Sequence, residues 1–307
     1  MGKRQLGGAA ACLVAAFFWG VTFIAQDIAA ADVGPFTFQC VRSLIAAAVL
    51  FPAAAVKDRI LTRKGCAPAP SPRRALIIGG VVCGAILTAA CVLQQAGIGN
   101  NQSSPGKDAF VSALYMVIVP VFALFFGKRS PFPVYLCTGV AVFGLWLLCM
   151  GGGTALTVGD IQVIACAFVF AAHILAVDRV APRVDGIRLS AIQFLTSGVL
   201  SGVFMLLFET PTWAGIFAAL LPLLFAGIFS NGIAYTLQII GQQRTPPTLA
   251  SLVLSLESVF AVLAGMVLLG EFPSGREIAG MAVIFAAIVC AQLPYDRLRP
   301  LRRLRRG

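Results

Sequence analysis

Apolar residues fill the chain in ten successive runs, separated by short connectors that hold nearly all of the charge. The runs cover about 6–26, 35–56, 75–98, 106–126, 132–150, 161–177, 189–208, 213–240, 248–269 and 277–293. Crossing a hydrocarbon core takes about 20 apolar residues as a helix. Within lipid only helices and closed barrels satisfy the backbone. Barrel strands alternate apolar and polar side chains, and these runs do not, so the pattern predicts an all-α integral membrane protein with ten transmembrane helices.

No connector is long enough to form a core of its own. The longest, 57–74, carries Lys64-Gly65 and Pro68, Pro70 and Pro72, and reads as a solvated link. Composition agrees: the 307 residues are 59% hydrophobic and 11% charged, with a mean hydropathy of +0.92. Lys3-Arg4, an apolar run and Ala29-Ala30-Ala31 imitate a cleavable leader. The run exceeds the 7–15 residues usual for a leader's apolar core, so it counts as the first span.

The net charge of +11 invites nucleic acid as a partner. Its placement argues against that. With the N-terminus in the cytoplasm, 20 of the 23 Lys and Arg fall on the inner side, leaving Lys107 and Arg276 outside and Arg42 within a span. That bias puts both termini in the cytoplasm of a multi-pass protein of the cell (inner) membrane. The basic tail at 297–307 serves as a topology anchor that can also touch anionic lipid. The nine cysteines form no C-x-x-C and read as small buried hydrophobes, with no metal set and no cofactor implied.

The two halves resemble each other. Leu93-Gln94-x-x-Gly97 returns as Leu237-Gln238-x-x-Gly241, Ala113-Leu114-Tyr115 aligns with Ser255-Leu256-Glu257, and Gly139-Val140-Ala141-Val142 returns as Gly280-Met281-Ala282-Val283. The offsets are 144, 142 and 141. The chain therefore divides into repeats at 1–150 and 151–296. Five spans is an odd number, so the second copy enters the membrane from the opposite side. Such inverted repeats bind substrate near mid-membrane between their halves.

The chain resembles the EamA-type members of the drug/metabolite transporter superfamily, from about residue 6 to 293. The likeness rests on Trp19-Gly20, Arg42, Leu114-Tyr115 with Pro120, Gly159-Asp160, and Ser255-Leu256-Glu257-Ser258-Val259-Phe260 closing on Leu269-Gly270-Glu271. The resemblance implies ten helices from a duplicated five and a small organic solute as cargo, such as an amino acid, amine, nucleoside or vitamin. Two departures stand out. Proline usually follows the ninth-helix glutamate in that family; Ser258 stands here, which puts the break in that helix in doubt. The first copy ends in Gly127-Lys128-Arg129 where a Gly-Glu pair is expected.

Three ionisable groups inside the runs are the first candidates for function, because a charge in hydrocarbon costs several kcal/mol or more. Glu257 lies about 15 Å into the ninth helix and Arg42 about 10 Å below the outer surface, at 1.5 Å per residue. Glu257 reads as a proton-coupling or amine-binding carboxyl, or as a neutral acid bonded between helices. Arg42 cannot lose its proton; it binds an anionic group of the substrate or pairs structurally. His173 is either a titrating group or a satisfied interhelical donor. Gln39 shares a face with Arg42. Asn231, Tyr235 and Gln238 fall at i, i+4 and i+7 and form one stripe on the eighth helix. Gln94 and Tyr115 are the repeat partners of Gln238 and Glu257. Trp19, Phe23 and Trp146 supply apolar walls. These polar groups either line a cavity or join helices to one another.

The expectation is a secondary carrier working by alternating access, with the proton as candidate coupling ion, as a monomer or homodimer. An integral-membrane enzyme is the alternative. Against it, the chain has no H-E-x-x-H, no G-x-S-x-G and no acidic metal cluster, and Ser103-Ser104, Asp178 and Asp185 sit on connectors without evident partners.

Overall fold

A computed structural model describes residues 3–65, 71–100, 105–125, 127, 131–149, 157–270 and 272–291. The sequence readings made at Cys66, Ser103-Ser104, Lys128-Arg129, Glu271 and the basic tail lie outside them. The described chain is helical: α1 (Lys3–Ala30), α2 (Pro35–Arg63), α3 (Arg73–Asn100), α4 (Pro105–Ser112), α5 (Tyr115–Phe125), α6 (Phe132–Cys149), α7 (Val158–Val180), α8 (Gly186–Phe208), α9 (Trp213–Ala218), α10 (Leu220–Phe225), a π-helical segment (Ala226–Ala234), α11 (Tyr235–Gln242), α12 (Pro247–Leu254), α13 (Glu257–Leu268) and α14 (Gly275–Ala291). Among the described residues, eight helical stretches are long and apolar enough to cross a membrane, and 132–144 and 278–291 form two shorter apolar helices. This is an all-α, multi-pass membrane protein. Its outer surface carries large exposed apolar side chains such as Ile77, Val81, Phe143, Leu206 and Phe285, as a lipid-facing surface requires.

Three predicted spans are not single helices. The eighth begins with the short α9 and then runs through α10, the π segment and α11. The fourth is interrupted at Ala113-Leu114 and the ninth at Ser255-Leu256. The doubt raised by Ser258 is thereby resolved, since the break forms without proline. Both the amide and the hydroxyl of Ser258 donate to the Ser255 carbonyl, at 3.2 and 2.8 Å. Ser255 Oγ donates to the Leu252 carbonyl at 2.8 Å. Serine hydroxyls thus take carbonyls that the tightened turn releases. Ser258 lies in the first turn of α13, where proline is tolerated. Ser258→Pro is therefore expected to leave the melting temperature within about 3 °C of the parent, since it exchanges one or two modest hydrogen bonds for a stiffer turn. A thermal melt in detergent checks this.

The packing repeats between the halves. A Cβ on Gly97 would meet the Gly159 carbonyl at 2.9 Å, and one on Gly241 the Gly8 carbonyl at 2.8 Å. The spacings are 144 for 97/241 and 151 for 8/159. Likewise α3 lies on α7 as α11 lies on α1, and α2 pairs with α8 along the middle. The two ends of that middle pair are latched alike. Arg188 of α8 bonds the Asp58 carboxylate of α2. At the other end the Glu209 carboxylate accepts from the amides of Phe36 and Thr37, both at 2.8 Å, and from the Thr37 hydroxyl at 2.5 Å. Positions 37/188 and 58/209 share the spacing of 151.

Asp185 is not without a partner, as the sequence suggested; nor is Asp178, which lies within α7 and is engaged. Asp185 caps α8 by accepting from the Arg188 amide at 3.0 Å and pairs with Lys57. Burial works to raise its carboxyl, but Lys57 and the Arg188 amide outweigh it and hold the group below the usual carboxylate range. A depressed folded value contributes stability above the unfolded value and loses it as pH falls through the folded one. Asp185→Ala is thus expected to cost about 1–2 kcal/mol at neutral pH through the lost cap. Asp185→Asn, which still caps, costs less, because Lys57 is partly exposed. Melting curves at pH 7 and pH 3 check the sign: the gap between parent and Asp185→Asn narrows in acid.

Candidate functional site

A cavity lies at the centre of the bundle, between helices of both halves. It is lined by Trp19, Thr22, Phe23 and Gln26 of α1, Arg42 of α2, Gln94 of α3, Tyr115 of α5, Phe170, His173 and Ile174 of α7, Ser230, Tyr235 and Gln238 along the π segment and α11, and Glu257 at the start of α13. Its empty volume is about 430 Å³, yet the centre of a water-sized sphere has only about 20 Å³ in which to move. The space is a narrow cleft that as it stands has room for little more than a water molecule.

The broken helices explain why Tyr115 and Glu257 reach it. Each is the first residue after the interruption in its span, 142 positions apart, and the two side chains interact with each other. Neither Tyr115 Oη nor Glu257 Oε1 closes a hydrogen bond of ordinary geometry. Gly20 brings α1 against this break: a Cβ there would sit 2.7 Å from the Glu257 carbonyl and 2.8 Å from the Ala261 amide. Beside it, Trp19 packs on Tyr235 with ring centroids 4.6 Å apart. Phe194 and His173 flank the same tyrosine at 5.5 and 6.0 Å.

The polar lining is only partly satisfied. Gln26 Nε2 donates to Gln94 Oε1 at 3.1 Å, and Gln94 Nε2 to Ser112 Oγ at 2.8 Å. His173 Nε2 meets Gln193 Oε1 at 3.3 Å. Among the described residues, eleven buried side-chain nitrogen and oxygen atoms have no partner within the protein. Six belong to lining residues: Trp19, Arg42, Tyr115, His173, Gln238 and Glu257. Buried polar groups are ordinarily bonded, because desolvation without a partner costs about 1–3 kcal/mol. Six of these eleven atoms therefore face one space.

Of the residues singled out in the sequence, the structure brings Glu257, Arg42, His173, Tyr115, Tyr235, Gln238, Gln94 and Trp19 together here, with Phe23. Three are elsewhere. Trp146 is exposed, stacked on Phe143 and covered by Arg276. Gln39 is fully buried behind Arg42, accepting from its Nε at 2.7 Å. Asn231 is turned toward Ser43, at 3.4 Å. Its displacement follows from the π segment, where the Tyr235 amide bonds the Ser230 carbonyl five residues back. The wider turn puts Ser230, not Asn231, on the face of Tyr235; such segments recur at functional sites. Cys290 is exposed, while Cys12, Cys40, Cys83, Cys91, Cys137 and Cys166 are buried. Among the described residues no group of His, Cys, Asp and Glu is placed to hold a metal ion.

Sequence reasoning missed Thr22, Gln26, Phe170, Ile174 and Ser230. A signal for three of them exists. The pairs 19/170, 22/173 and 23/174 share the spacing of 151, so Phe170 and Ile174 stand in the second half where Trp19 and Phe23 stand in the first, and Thr22 answers His173.

A helical membrane protein with a polar-lined cavity between two similarly packed halves has the form of a membrane transporter. The profile of the EamA-like transporter family matches residues 6–150 and 157–292, and the chain belongs to that family. An uncharacterized transporter of Archaeoglobus fulgidus is 25% identical over 297 residues, covering 95% of this chain and 88% of the relative. One crystal structure of another protein superposes with a TM-score of 0.76 at 21% identity, covering 95% of this chain and 99% of its own. At that identity it speaks for the fold alone.

Proposed function

We propose that the protein is a secondary carrier that moves a small organic metabolite (an amino acid, amine, nucleoside or vitamin-like solute) across the cell (inner) membrane by alternating access, with a proton carried by Glu257 as the coupling ion. The observation that carries this is the set of six buried polar groups around one narrow cavity that close no hydrogen bond of ordinary geometry, Tyr115 and Glu257 having only each other. A fold held only by packing has no use for them, whereas a ligand satisfies them while it is bound. Membership of a transporter family supports the same reading.

The recurrence of contacts supports alternating access. Two five-helix repeats of opposite orientation, about 1–150 and 151–296, account for the matched glycine seams and for the latches at both ends of the α2–α8 pair. Halves of like structure can exchange roles, so that one face opens as the other closes. Lys and Arg placement supports cytoplasmic termini. The carrier functions as a monomer or homodimer.

Glu257 suits the coupling role because it is the acid of the lining and, among the described residues, no cation is paired with it. A protonated amine or a proton can neutralise it, and the two compete. A thermal-shift screen of the purified protein against metabolites identifies the cargo, since a ligand at 100 Kd stabilises by about 2.7 kcal/mol. Counterflow in proteoliposomes then tests the mechanism. Saturable exchange of labelled solute is expected; unsaturable flux or a chemically altered product contradicts it.

A further inference from the structure

Arg42 holds a positive charge in the cavity wall, and a buried network aims it. Its Nε donates to Gln39 Oε1 at 2.7 Å. The Gln39 amide nitrogen is fixed in turn, donating to Ser197 Oγ at 2.8 Å and to Ser43 Oγ at 3.1 Å. The Phe38 ring lies 4.9 Å from the guanidinium carbon. Arg42 is 2% exposed, yet among the described residues no carboxylate pairs with it. Its Nη2 closes no hydrogen bond of ordinary geometry; the guanidinium neighbours the Cys91 thiol and faces the cavity. A guanidinium cannot be neutralised by losing its proton, and a buried charge left alone is costly.

The fold itself does not ask for this charge. Gly227 of the π segment packs against the Arg42 carbonyl, 3.1 Å from a Cβ built there, and Gly84 of α3 packs likewise against the Gln193 carbonyl at 2.5 Å. Positions 42 and 193 share the spacing of 151 that relates the other lining pairs. The second half fills that place with a neutral amide, which contacts His173. Two helix pairs with the same packing thus differ in one charge, and that charge is turned to the cavity.

We infer that Arg42 is an anion subsite that docks a carboxylate group of the cargo, with Gln39, Ser43 and Ser197 as its positioning residues. The inference rests on the carrier reading for the word cargo; the subsite itself does not. A carboxylate is preferred to a phosphate because the lining holds one guanidinium and one acid, Glu257: with Glu257 protonated a monoanion balances Arg42 and a dianion does not. The narrow space also favours the smaller, planar group. Guanidinium and carboxylate are matched in geometry.

The test uses the full-length protein in detergent, with acetate, benzoate and inorganic phosphate as probes. Chloride at equal ionic strength is the reference and acetamide the uncharged control. One of the carboxylates is expected to raise the melting temperature by at least about 2 °C, with acetamide inert, and Arg42→Gln to remove the effect. Gln39→Leu keeps the charge but releases it; its half-maximal carboxylate concentration is expected to rise about tenfold, or roughly 1.4 kcal/mol in coupling. This variant decides the matter if Arg42→Gln does not fold. A shift that acetamide reproduces, that survives in Arg42→Gln, or that phosphate exceeds would overturn the inference, as would an unchanged concentration dependence in Gln39→Leu. Counterflow separates the two claims: saturable exchange without any carboxylate effect removes the subsite and leaves the carrier.

Discussion

Replacing Glu257 with glutamine is expected to reduce proton-driven accumulation of solute to the passive level while downhill exchange persists. Glutamine has nearly the same volume and keeps a hydrogen-bonding oxygen, so the packing at the start of α13 stays intact. What it lacks is a titrating proton. Glu257 is 4% exposed, lines the cavity and neighbours Tyr115, without an ion pair among the described residues. It is therefore the group on which the proposed proton coupling rests, since an intramembrane acid is a candidate site for function. In proteoliposomes with an imposed pH gradient, the parent accumulates solute and Glu257→Gln does not; without the gradient both exchange label. A variant that accumulates solute at the parental rate, with the same pH profile, removes Glu257 from the coupling step.

Gly20→Val is expected to have the largest structural effect of any single change at the site. A Cβ at position 20 already approaches the Glu257 carbonyl and the Ala261 amide at 2.7 and 2.8 Å, and these are backbone atoms that cannot swing away. Valine adds two more carbons in the same gap. Overpacking of a rigid seam costs about 1–3 kcal/mol and sometimes more, and here relief requires α1 to move off α13. That motion carries Trp19 away from Tyr235 and opens the wall of the cavity. We expect a melting temperature lower by about 5 °C or more, together with loss of solute binding. Gly99→Val is the matched control, because a Cβ there meets only Ala30 Cβ at 3.8 Å. If Gly20→Val melts and binds like the parent, the close approach of α1 to the break is wrong.

Much of this site could be read from the chain because its ionisable members stand out in apolar runs. Arg42, His173 and Glu257 are expensive in lipid, and expense is visible without coordinates. Thr22, Phe170 and Ile174 carry no such cost, so only the spacing of 151 points to them, and the repeat was read from the later helices, where the offsets are 141 to 144. The longer connector after α2 makes that difference. The misplacement of Asn231 has another cause: a regular 3.6-residue period was carried through a stretch that winds wider, and nothing in Gly227 or Gly232 announces π geometry. The ninth-helix break was doubted for want of a proline, whereas three serines bonding to carbonyls within the helix achieve it. Gln39 has the opposite lesson. Sharing a helix face with Arg42 made it a partner of the guanidinium rather than of the cavity.

The central claim, that two similar halves enclose a polar cavity which opens to each side in turn, is tested most directly at Ser230. This small, buried residue lines the cavity, so Ser230→Cys in a background without other cysteines places a thiol there with little disturbance. A membrane-impermeant, negatively charged methanethiosulfonate is applied from outside intact cells and, separately, to inverted vesicles. Labelling is expected from both sides, each slowed by bound solute. Labelling by lipid-soluble reagents alone, or from one face alone under every condition, would contradict it.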